Sequence, residues 1–182
     1  MFWHLQTAAA DTPGKYTKKE IVMEEFRFLK PRKMKHPTTG IDLEYLDKSN
    51  AVCIALFNEE KDKILLVEQY RPGNKGLMLE VPAGLIDPED CTGDNDNTAP
   101  LIKTAMRELH EETGLKVTEK DTVSVINPCL FSTPGMTDES NALVKIVLNR
   151  DSLNGMSQEG AVGGELFDGF DVLTRAQAKK IL

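Results

Sequence analysis

Three glutamates and an arginine crowd the stretch Arg107 to Leu115, RELHEETGL. On a helix turning about 100° per residue, Glu111 and Glu112 fall to either side of Glu108. Leu101, Ile102, Ala105, Met106 and Leu109 occupy the adjoining arc, so the acidic stripe should border the buried face. Like charges spaced i,i+3 and i,i+4 destabilise a bare helix. Half-burying them costs more unless something positive compensates. A hard divalent cation would do so, because carboxylate oxygens suit Mg2+ or Mn2+. A solvated acidic helix face would show the same spacing, so the glutamates alone leave both readings open.

The longer stretch that opens at Gly84 resembles the Nudix box, which reads G, five residues, E, seven residues, then REUXEEXGU with U aliphatic. Arg107, Glu108, Leu109, Glu111, Glu112, Gly114 and Leu115 fill its second half. Asp90 stands where the box has its first glutamate, with Glu89 beside it. The interval from Asp90 to Arg107 holds 16 residues rather than seven. The extra nine fall in the polar CTGDNDNTAP, which reads as a lengthened surface loop, 91–99. The departures put the role of the first box carboxylate in question.

Two flanking stretches, EQYRP at 68–72 and LEVPAGLID at 79–87, resemble the ADP-ribose pyrophosphatase branch of that family more narrowly. The likeness runs over about residues 41–173. It implies that Arg71 contacts substrate phosphate, as a planar multi-donor guanidinium can, and that Glu80 sits in the substrate cleft. It implies a metal set of Glu108, Glu111, Glu112 and the Ala83 carbonyl, holding two or more Mg2+ or Mn2+ ions. Arg107 would orient a box glutamate by an ion pair. The turn-rich STPGMTDE at 132–139 resembles a loop beside the branch's active site, which makes Gly135 a substrate contact and Glu139 a candidate base. Glu165, after Gly163 and Gly164, resembles the branch's catalytic glutamate and is the first choice for the base; Glu139 is the second. The implied reaction is hydrolysis of ADP-ribose, or a similar nucleoside diphosphate sugar, to AMP and ribose 5-phosphate. Two alternatives stay open: another sugar nucleotide such as GDP-mannose or UDP-glucose, and a Nudix-fold binding domain without turnover.

The rest of the chain must position these groups. Strands are expected at 20–29, 41–46, 51–57, 63–70, 77–81, 123–126, 142–148 and 166–173. A helix is expected from about Thr98, with Pro100 in its first turn, to Gly114 as the residue past its end. Thr174 should cap a second helix. The basic stretch 30–40, with Lys30, Arg32, Lys33, Lys35 and His36, reads as a solvated hairpin loop. This is α/β content with a mixed sheet and helices on its faces. The resemblance implies an α+β sandwich, the Nudix fold, over 41–182, preceded by an N-terminal arm and strand, 1–40. That leading segment would cross between subunits of a homodimer. Among Phe2, Trp3, Tyr16, Phe26 and Phe28 are the candidates for stacking on the base.

At 182 residues the chain can bury a proper core. Its net charge of −7 argues against general nucleic-acid binding. It does not exclude a phosphate-bearing substrate, because bound metal inverts the local field. Cys53, Cys91 and Cys129 lack metal-ligand spacing and read as reduced thiols. No apolar run reaches the roughly 18 residues of a membrane span. The start lacks a signal-peptide pattern, so a cytoplasmic protein is expected.

Overall fold

The computed structural model describes residues 29–91, 98–151, 153–157 and 167–181. Its centre is the pair β3 (Ala51–Phe57) and β8 (Ser140–Val147), which run parallel from Ala51↔Asn141 to Phe57↔Val147. Both strands alternate. Val52, Ile54 and Leu56 on one, and Ala142, Val144 and Ile146 on the other, point into a single core. Leu101, Ala105 and Leu109 of α1 (Ala99–Thr113) close that core from above.

Among the described residues the main sheet has seven strands. β7 (Thr122–Phe131) lines up antiparallel beyond β8, well past the expected 123–126, with irregular register after Val125. On the other side, β3 and β4 (Lys63–Arg71) share one registered pair, Phe57↔Ile64. Past that pair the two strands part. β4 then takes β5 (Gly76–Glu80) on one side and β9 (Phe167–Thr174) on the other. The far end of β3 takes the short β6 (Ala83–Leu85), which starts directly after Pro82. This splay leaves room for β6 beside β3, where its backbone packs against α1 and the acidic residues. Gly114 ends α1 in the left-handed region, at φ 70°, and its N–H donates to the His110 carbonyl. Thr174 and Gln177 cap α2 (Arg175–Ile181) reciprocally: each backbone N–H donates to the other's side-chain oxygen.

The basic stretch corrects the expected loop. Lys30–Lys35 is a strand, β1, paired antiparallel with β2 (Asp42–Asp47) in a separate two-stranded sheet. Its apolar content is low, but its cations face acids across the ladder. Arg32 pairs with Asp47, Lys33 with Glu44 and Lys35 with Asp42. The turn itself is confined to His36–Ile41, with Gly40 at φ 70°. Residues 20–28 of the expected strand, the N-terminal aromatics and residues 92–97 of the lengthened loop lie outside the described residues. None of the three cysteines is in a disulfide, and Cys129 is exposed. Among the described residues, no helix is long and apolar enough to cross a membrane.

Candidate active site

The buried face of α1 is not the purely apolar arc the wheel suggests. Met106 is exposed, while Thr104, Glu108 and Glu112 are buried with Leu101, Ala105 and Leu109. The face has turned toward the carboxylates because β6 passes directly under them. At Gly84 a Cβ would overlap the Glu108 carboxylate, so glycine leaves the room that this carboxylate occupies. One residue earlier, the Ala83 N–H donates to Glu112 Oε2 (3.3 Å). Glu111 stays partly exposed at the rim and pairs with Arg107 (3.1 Å).

Arg107 is the hub of the acidic face. Its Nη1 lies 2.8 Å from Glu108 Oε1 and 3.1 Å from Glu111 Oε2. Its Nη2 donates to the Leu85 carbonyl and sits 3.2 Å from Asp87 and 3.1 Å from Asp90. Burial alone would lower the guanidinium pKa, but the charges of Glu108 and Asp90 outweigh it and hold the group above its ordinary value. Asp90 itself is 5% exposed. It accepts from the Thr104 hydroxyl (2.9 Å) and from Arg107 Nε (3.3 Å), with Lys103 at 3.5 Å. Burial pushes its carboxyl up. The hydrogen bonds from Thr104 and Arg107, with the charges of Arg107 and Lys103, win and hold it below the usual carboxylate range. Asp90 thus acts on Arg107 and locks the root of the lengthened loop to the helix.

This gives a stability prediction with a definite sign. A depressed folded-state pKa contributes stability that is present above the ordinary carboxylate range and lost as pH falls through the lowered value. Asp90→Asn should therefore destabilise by about 1–3 kcal/mol at neutral pH, the usual effect of breaking a buried charged hydrogen-bond set. Urea unfolding of both proteins from pH 7 downward should show the gap closing in acid. A constant gap would mean that Asp90 acts by shape alone.

A second group of carboxylates gathers around Cys53. Burial first, then the charges of Glu139, Glu80 and Glu112, push its thiol up to about 11. Three acids far apart in sequence therefore bear on one point. Each has a partner. Arg71 and Glu80 form a bidentate pair across β4 and β5, with Nε–Oε1 2.9 Å and Nη2–Oε2 2.6 Å. The two residues expected to meet substrate separately are thus brought together. Glu139 pairs with Lys48 at 2.8 Å. Asn141 turns its Oδ1 toward Cys53 Sγ (3.8 Å), while its buried Nδ2 has no hydrogen-bond partner among the described residues. Gly135 lines a cavity of about 410 Å3 between the β1–β2 hairpin and the 132–139 loop, with Met34, Leu43, Tyr45, Pro134 and Asp138 around it. Glu165 lies outside the described residues. Lys48, Thr104 and Asn141 gave no signal in the sequence, since each matters only through a partner distant along the chain.

A family comparison decides what this arrangement is. The NUDIX domain model matches residues 47–163, more than half of the chain. The chain belongs to the Nudix family. Among curated relatives, the Nudix chain is similar to an ADP-ribose pyrophosphatase of Saccharomyces cerevisiae, 40% identical over 47% of this chain and 31% of that protein. An ADP-sugar pyrophosphatase of Mus musculus is 31% identical over 63% of this chain and 50% of its own length. A GDP-mannose pyrophosphatase of Yersinia pestis is 34% identical over 52% and 44%. The chain thus spans half or less of the length of each of these relatives.

The Nudix box carboxylates suit a hard cation in kind. Among the described residues no three His, Cys, Asp or Glu side chains are grouped so as to hold a metal ion by themselves. The candidate donors are two buried glutamates, Glu108 and Glu112, packed on the backbone of Ala83 and Gly84. Mg2+ needs no all-protein cage. It keeps waters and takes one or two carboxylates together with substrate phosphates. The donor set therefore fits an ion that arrives with a phosphate ligand.

Proposed function

We propose that this Nudix chain is a metal-dependent pyrophosphatase acting on ADP-ribose or a similar nucleoside diphosphate sugar. The observation that carries the reading is the pair of buried carboxylates, Glu108 and Glu112, seated on the Ala83–Gly84 backbone. Arg107 pairs with Glu108 and the Ala83 N–H with Glu112, and a cation would add to the compensation of these two buried charges. The printed activities of the yeast and mouse relatives support the substrate class.

In this reading water attacks one phosphorus of the P–O–P bridge. The bridging bond breaks and the products are AMP and ribose 5-phosphate. Glu108, Glu112 and the Ala83 carbonyl would hold Mg2+ or Mn2+, two or more ions, with Glu111 assisting. Bound cations neutralise phosphate charge and acidify a water. Arg107 holds Glu108 and Glu111 in place, and Asp90 holds Arg107. Arg71 would turn toward a substrate phosphate, with Glu80 fixing its plane. The cavity beside Gly135 offers Tyr45 to the base. Glu165 would take the water's proton.

A GDP-mannose pyrophosphatase is the second reading, favoured by the Yersinia relative. A turnover panel over ADP-ribose, GDP-mannose, UDP-glucose, NADH and diadenosine polyphosphates, each with Mg2+ and with EDTA, separates the readings. ADP-ribose should lead by kcat/KM. Turnover unaffected by EDTA would overturn the metal dependence, and no turnover on any member would overturn the hydrolase reading. A homodimer belongs to the same proposal, with the segment before β1 crossing between subunits. Light scattering should give about twice 20.2 kDa, and deletion of residues 1–19 should weaken the dimer or raise KM.

A further inference from the structure

β3 opens at a junction. On one side β6 pairs with its first residues, Ala51↔Leu85, Val52↔Gly84 and Cys53↔Ala83. On the other side the parallel ladder with β8 starts at Ala51↔Asn141. Asn50 stands just before both and serves both. Its main-chain carbonyl accepts from the Ile86 N–H (2.9 Å), one rung beyond the β3–β6 pairs. Its side-chain Oδ1 accepts from the Ser140 N–H (3.0 Å), one residue before the β3–β8 ladder. The amide side chain thus supplies the acceptor that a ladder carbonyl would supply further on.

The two bonds join unlike parts of the site. Ile86 follows β6, whose Ala83–Gly84 backbone packs on Glu112 and Glu108. The other end of β6 is tied to β3 as well, because the Ile54 N–H donates to the Pro82 carbonyl (2.8 Å). Ser140 follows the 132–139 loop, whose Pro134, Gly135, Thr137 and Asp138 form one wall of the cavity of about 410 Å3. That loop also bonds to Leu46 and Lys48, but those contacts tie it to the β2–β3 connection and not to β6. Ser140 is 9% exposed, so its N–H is poorly compensated by water once Oδ1 is gone. One residue therefore links the carboxylate-bearing end of the site to the cavity wall. A ligand with a diphosphate at one end and a nucleoside at the other must bridge those two parts.

We propose that Asn50 is a positioning residue: its side chain holds the cavity loop in place against the strand that packs on Glu108 and Glu112. The substrate class rests on the pyrophosphatase reading; the positioning role rests on the two hydrogen bonds.

Asn50→Ala removes the side-chain acceptor and leaves the main-chain bond to Ile86, while Asn50→Asp keeps an acceptor oxygen of the same reach. Amide exchange on the full chain, without metal or substrate, should show Ser140 about 5-fold less protected in Asn50→Ala, the effect of one lost hydrogen bond, with Ile86 unchanged. Calorimetric titration should leave the Kd for Mg2+ within about 2-fold of the parent, because the box glutamates share no partner with the Asn50 side chain. With ADP-ribose and Mg2+, KM should rise about 5-fold and kcat stay within about 2-fold, as when a binding wall must be ordered by the ligand. Asn50→Asp should restore both Ser140 protection and KM. Unchanged Ser140 protection or KM in Asn50→Ala, or a KM that Asn50→Asp does not restore, overturns the proposal. So does a Mg2+ Kd that weakens in step with KM, since Asn50 would then support the whole site by structure alone. If Asn50→Ala does not fold, Asn50→Ser takes its place with the same expectation. The Kd for ADP-ribose, read by calorimetry in EDTA, should follow the ranking of KM. Binding that keeps this ranking without any turnover in Mg2+ supports the role of Asn50 and removes the hydrolase reading. ADP-ribose neither bound nor hydrolysed by the unaltered chain overturns both.

Discussion

Glu112→Gln should lower turnover at least about 10²-fold while the fold survives, a loss of the size seen when other preorganised electrostatic groups are removed. The structure sharpens the reason. Glu112 is 4% exposed, and its Oε2 already accepts from the Ala83 N–H. Glutamine keeps the length and an acceptor oxygen, so the strand–helix contact through β6 can persist. What it lacks is the charge that a cation would meet. Removing a buried charge beside Glu108 relieves repulsion between i,i+4 acids and the cost of burying a carboxylate. The metal-free variant should therefore melt at the same temperature as the parent or slightly above it. Calorimetric titration with Mg2+ should show weakened binding independently of any rate. Normal turnover with Mg2+ would sink the assignment of Glu112 to the metal. A sharp fall in melting temperature would show instead that the Ala83 contact needs the carboxylate itself.

The second half of the box was legible because its chemistry is local. Glu108, Glu111 and Glu112 lie within one helical turn, and helix geometry alone places them together. The main strands were legible for the same reason, since Val52, Ile54 and Leu56 alternate within seven residues. What stayed hidden depends on register between distant segments. Lys30–Lys35 carries almost no apolar residue, and its strand exists because Asp42, Glu44 and Asp47 oppose its cations. The Arg71–Glu80 pair follows from how β4 and β5 align. Lys48 meets Glu139 only because the chain from 46 to 57 runs parallel to that from 137 to 147. Asp90 differs in kind. Its place in the box pattern was visible, but that it serves Arg107 required the buried Thr104 hydroxyl beside it.

Glu165→Gln should lower kcat by about 10²- to 10⁴-fold with KM changed little, the span usual for a general base. A general base must be within reach of the water and not already committed. Each acid the described site offers is committed. Glu108 and Glu111 are held by Arg107, and Glu112 by the Ala83 N–H. Glu80 is clamped by Arg71, Asp90 by Arg107 and Thr104, and Glu139 by Lys48. Protonating any of them would weaken an ion pair or hydrogen bond that the charged form makes. That supports a base supplied from elsewhere in the chain, and Glu165 is the residue the family resemblance indicates. Glu139→Gln should cost less and act mainly on KM, since its carboxylate is fixed by Lys48 at the substrate's side. The pH–rate profile separates the two roles. With Glu165→Gln the acidic limb of kcat should disappear, because no carboxylate remains to be deprotonated for the step. With Glu139→Gln the limb should stay. The opposite ranking of the two variants would move the base to the 132–139 loop and leave Glu165 in a connecting segment only.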